Sequence, residues 1–213
     1  MLAGTGLVGW VVGAVGGGII GRLLMRLLVL TSDDRVDGAI TDDEAVVNQF
    51  TFSGSAGLLL FLALAGMVLA WLYVGARASM PPSIRVRAAI WAVLVWSLAG
   101  SGVFDPDGFD FTQLTPVWLG VVTFSALFLA MGALIALGAE RAIERWPQRK
   151  VALLPFVLMG PMFPIAIGGV VAAFGAEINE KYRAVRTFGA LVMAALFLWW
   201  GPPAFANVLR ILF

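Results

Sequence analysis

The chain contains no cysteine and no histidine. The first absence excludes disulfides, cysteine nucleophiles and thiolate metal sites. The second excludes histidine general bases and ligation of haem or copper by imidazole. Charge is scarce as well. Asp, Glu, Lys and Arg make up 13% of the 213 residues, against about 25% in a soluble domain. So few charges cannot cover a water-facing surface. The net charge of +1 leaves no basic excess to attract nucleic acid. Nothing in the composition implies a cofactor.

What is present is apolar. The chain is 61% hydrophobic, and its mean hydropathy is +0.94. That defines an integral membrane protein. The opening MLAGTGLVGW has no basic stretch before its apolar run and no short cleavable segment, so a retained helix is expected and not a signal peptide. Roughly 20 apolar residues cross a bilayer core. By that measure the chain forms a single all-α transmembrane domain over residues 1–213, a bundle of about six spans. They fall near 2–30, 54–76, 85–104, 116–142, 151–176 and 184–201.

The connectors alternate in charge. Acidic loops occupy 31–53 and 105–115, and basic ones 77–87 and 140–150. The positive-inside rule puts the basic connectors in the cytoplasm. Six spans then place both termini there and the acidic loops outside. Segment 177–186 fits this scheme badly, because Lys181, Arg183 and Arg186 would lie outside. Trp71, Tyr73 and Trp91 near the inner face and Trp118 near the outer face are expected to form interfacial belts. Residues 204–213 admit two readings: a short helix on the inner surface, or a kinked continuation of the sixth span past Pro202 and Pro203.

Local signals refine the map. Asp105-Pro106-Asp107-Gly108 predicts a type I turn. Thr115-Pro116 predicts the start of span 4. Thr41-Asp42-Asp43-Glu44 predicts a short helix near 42–50. Pro155, Pro161 and Pro164 break the fifth span, and in lipid its freed carbonyls need cover from protein or a cavity. GRLLMR and ERAIER end spans 1 and 4, while RVRAAIWAVLVW and RAVRTFGALVMA open spans 3 and 6. That echo raises a weak three-span inverted repeat as an expectation.

Three groups of residues stand out against this background. Gly9, Gly13, Gly17 and Gly21 form a stripe along the first helix. Such a glycine zipper lets another backbone approach closely. It serves either a homo-oligomer seam or pore, or a seam within the chain. Arg22 and Arg26 lie one turn apart where the first apolar run ends. They form either an ion-pair network with the acids of the outer loops or a site for an anion or lipid headgroup. Asp105, Asp107 and Asp110 offer oxygen ligands for a hard divalent cation, although the bidentate glutamate of a calcium loop is missing and the turn alone accounts for their pattern. No catalytic residue is assigned, since no nucleophile–base pair, phosphate loop or metal-ligand helix appears. Spans 2 to 6 show no ionisable residue in their interiors, which disfavours an ion-coupled carrier.

The run GRLLMRLLVLTSDDRVDGAITDDEAVVNQFTFSG, followed by DPDGFDF, resembles uncharacterised multi-pass membrane proteins of actinobacteria. The likeness covers roughly the first 120 residues and rests on the arginine pair, the TDD loop and the DPDG turn. It implies a bacterial plasma-membrane protein and carries over no activity and no functional residue. Three function classes follow. The first is a non-catalytic accessory or scaffolding subunit, with the bilayer and itself or other membrane subunits as partners. The second is a homo-oligomeric channel or uncoupled carrier. The third is a membrane enzyme with an acidic site at the outer interface, acting on a lipid or headgroup.

Overall fold

A computed structural model describes residues 2–32, 38, 52–145 and 183–213. All the elements described are helical. α1 (Leu2–Val12) runs into a π-helical segment (Gly13–Ile20) and on into α2 (Gly21–Thr31), so one rod forms the first span. α3 (Phe52–Ala76) closes with one 3₁₀ turn at Arg77–Ser79. α4 (Ile84–Val103), the short α5 (Phe109–Thr112), α6 (Val117–Arg145) and α7 (Arg183–Leu212) follow. Among the described residues, five helices are long and apolar enough to cross a membrane. The expected fifth span at 151–176, the helix near 42–50 and most of loop 31–53 lie outside the described residues.

The glycine stripe explains how the first rod packs. A Cβ on Gly9 would strike the Gly66 carbonyl oxygen of α3, and one on Gly66 would strike that of Gly9. A Cβ on Gly13 would meet the Leu62 carbonyl, and one on Gly17 would lie 3.1 Å from the Leu62 side chain. Hydrogen in place of Cβ lets the two backbones touch, which is how helices associate where lipid is as apolar as leucine. The seam lies within the chain. It ends before Gly21, whose nearest outside neighbour is Leu127 of α6 at 3.8 Å. The intervening segment bonds i to i+5, as Gly21 N–H to Gly16 carbonyl shows, and such wide turns redirect a helix.

α6 lies at the centre. Gly16 faces Met131, Val8 packs against Gly138, and the Gly132 backbone comes so close to α4 that an added Cβ would sit 2.6 Å from the Ala92 Cα. Two apolar clusters result. One joins Leu28, Phe104, Phe111, Leu114 and Phe124 near the acidic turn. The other joins Tyr73, Met80, Trp91, Val95 and Ile135 near the basic connectors.

α7 decides between two readings and overturns one expectation. It is one helix through Pro202 and Pro203. Its Ala204 is wholly buried, Ala204 lies against Gly100, and Val208 and Ile211 pack on the Leu28–Phe104 cluster. Met193 and Phe197 lie beside Ser79 and Pro81. α7 therefore starts at the basic end and runs parallel to α4. An inverted repeat pairing spans 3 and 6 needs them opposed, so this pair does not supply one. The belt expectation also changes: Trp71, Tyr73 and Trp91 are buried inside the bundle, while Trp118 is exposed.

Candidate functional site

α6 continues three turns past Leu134, and this extension creates the charged centre of the molecule. Glu140 lies on it, with a side chain only 12% exposed. Its Oε1 accepts hydrogen bonds from the Tyr73 hydroxyl at 2.8 Å and from Arg87 Nη1 at 2.6 Å. Its Oε2 lies 3.2 Å from Arg77 Nη2. One carboxylate thus receives groups from the end of α3 and the start of α4. Arg87 also donates from Nε to the Pro81 carbonyl at 2.8 Å and from Nη2 to the Pro82 carbonyl at 3.1 Å. The planar guanidinium fork suits such a multiple contact. Among the described residues, two guanidiniums face this one carboxylate. Tyr73 is held from the other side by Trp91, edge to face with ring centroids 5.5 Å apart.

Composition does not point to this cluster. Glu140 stands among arginines at the end of an apolar run and reads as connector. A helical register does reveal it: in an α6 prolonged to Arg145, Ala136 and Glu140 share the face that carries Gly132 against Ala92.

The charged residues singled out in sequence are spread over the opposite half. Arg22 is partly buried and Arg26 exposed. They do not end the first span. α2 continues to Thr31, so Arg22 lies ten residues before Ser32, about 15 Å along the helix. Gly21 beside it is level with Leu127, well inside α6. The apolar residues Leu23, Leu24, Leu27 and Leu28 prolong the helix past the charges.

The predicted turn forms, with Gly108 N–H donating to the Asp105 carbonyl at 3.1 Å. Asp105 Oδ1 accepts from the Asp107 N–H at 3.1 Å. Asp105 and Asp107 are exposed and Asp110 is partly buried. Among the described residues no group of three acidic side chains is placed to hold a metal ion. The segment between α5 and α6 is tied to the end of α2 by Ser32, whose Oγ accepts from the Thr115 N–H at 2.8 Å.

A helical bundle with this hydropathy and five membrane-length helices defines an integral membrane protein. No family description, curated protein or solved structure matches the chain.

Proposed function

We infer that the protein is a non-catalytic accessory or scaffolding subunit of a membrane complex in a bacterial plasma membrane. The observation that carries this is the surface of α7. Its most apolar stretch is 11% buried among the described residues, whereas the other four spans reach 33–44%. Leu191, Leu198 and Trp199 point outward, each more than 60% exposed. A span so little used by its own bundle suits a contact with other chains. The glycine seam supports the same reading, because it joins α1 to α3 of one chain and leaves Gly9 and Gly13 no room for a second copy. Glu140 is likewise engaged by three groups of its own chain.

We infer the orientation from where the arginines stand along the bundle. Arg77, Arg85, Arg87, Arg141 and Arg145 share one end with the start of α7, where Arg183 and Arg186 stand. Arg22, Arg26 and Arg210 lie toward the other. The first end is cytoplasmic by the positive-inside rule. The start of α7, with Arg183 and Arg186, then sits inside, where six spans would put it outside. The start of α1 is inside and the end of α7 outside, in place of two cytoplasmic termini.

The test is the native mass and composition of the protein extracted gently from its own membrane. Stable partners of other sequence are expected. A homo-oligomer would favour a channel or uncoupled carrier, and a lone monomer would contradict a subunit role.

A further inference from the structure

A groove of about 510 Å³ opens between α4 and α7 at the basic end. Met80, Pro81, Ala89, Val93, Met193 and Phe197 line it, and its wall is almost wholly apolar. Its volume falls within the range of ligand pockets, about 300–1,000 Å³. We propose that it holds one acyl chain of an anionic phospholipid whose phosphate is met by Arg85.

Three observations carry this. The first is register: Arg85, Ala89 and Val93 are spaced four apart, so Arg85 stands one turn beyond the groove on the groove's own face. The second is pairing. Arg77 and Arg87 are engaged by Glu140, while Arg85 is exposed and makes no ion pair or hydrogen bond among the described residues. The third is depth. From Arg85 to Leu94 is nine residues, about 14 Å of helix, close to half of a hydrocarbon core about 30 Å thick. A lipid with its phosphate at Arg85 therefore has its chain beside the groove for the depth of one leaflet. The end that carries Arg85 is rich in arginine, which favours an anionic over a zwitterionic headgroup.

The experiment is lipid titration of the purified full chain in mild detergent, read by native mass spectrometry, with phosphatidylglycerol and phosphatidylcholine as probes. The wild-type protein should retain one phosphatidylglycerol and prefer it about fivefold, the ratio that one arginine near a membrane surface supplies. Arg85→Gln should bring phosphatidylglycerol down to the level of phosphatidylcholine. Ala89→Trp should fill the groove and abolish both. Leu198→Trp, on the outward face of α7, should change neither. Equal binding of the two lipids by wild type would overturn the proposal, as would binding unchanged by Arg85→Gln. So would no retained lipid, the result expected if a partner subunit, a second copy or another part of this chain fills the groove. Should Ala89→Trp fail to fold, Arg85→Gln, an exposed change, decides alone.

Discussion

Glycines identical in sequence have different roles at their own positions. Gly13 touches the Leu62 carbonyl, whereas Gly21 has ordinary contact distance to Leu127. Gly13→Ala should therefore destabilise the bundle by about 1–3 kcal/mol, the usual cost of overpacking. Gly21→Ala should be neutral or stabilising by up to about 1 kcal/mol, because alanine is the better helix former and φ there is −55°. Thermal unfolding of the two variants in one detergent checks the contrast. Equal losses would mean that the close approach of α1 to α3 is not what holds the first rod. The stripe itself was legible from spacing alone. Its partner was not, since small residues mark a close approach without naming the helix that makes it.

Glu140 ties α3, α4 and α6 together at the element scale. A carboxylate held by two guanidiniums and a hydroxyl is costly to disturb, because its partners stay behind with their charge. Glu140→Gln should cost about 3 kcal/mol, as for other partly buried pairs that lose one member. Tyr73→Phe should cost about 1.5 kcal/mol, the worth of one hydrogen bond to a charged group. Both are read as unfolding midpoints, and a Glu140→Gln protein as stable as wild type would remove the clamp from the account. Element existence was mostly legible, since long apolar runs between charged connectors allow few other readings. The ends near 30, 76 and 104 were legible as well, and the helices stop at Thr31, Ala76 and Val103. The end near 201 was not, because the prolines at 202 and 203 look like a stop. Yet the burial of Ala204, with Val208 and Ile211 against the core, carries α7 past its missing hydrogen bonds. Glu140 was hidden because its partners come from α3 and α4, which spacing within α6 does not name.

Over the whole molecule the direction of α7 matters most. Counting apolar runs gives six spans and two inner termini. The span expected at 151–176 lies outside the described residues, but α7 runs parallel to α4, and this brings Arg183 and Arg186 to the end that carries Arg77 and Arg87. A chain without cysteine suits a direct test, since each introduced thiol is the only one present. Ser83, Gln113 and Phe213 are all exposed, at the basic end, the acidic end and the end of α7. Ser83→Cys, Gln113→Cys and Phe213→Cys, made singly, are treated in intact cells with a maleimide that cannot cross the membrane. Labelling of Gln113→Cys and Phe213→Cys and protection of Ser83→Cys are expected. Protection of Phe213→Cys together with Ser83→Cys, while Gln113→Cys reacts, would contradict this orientation and restore a chain with both termini inside.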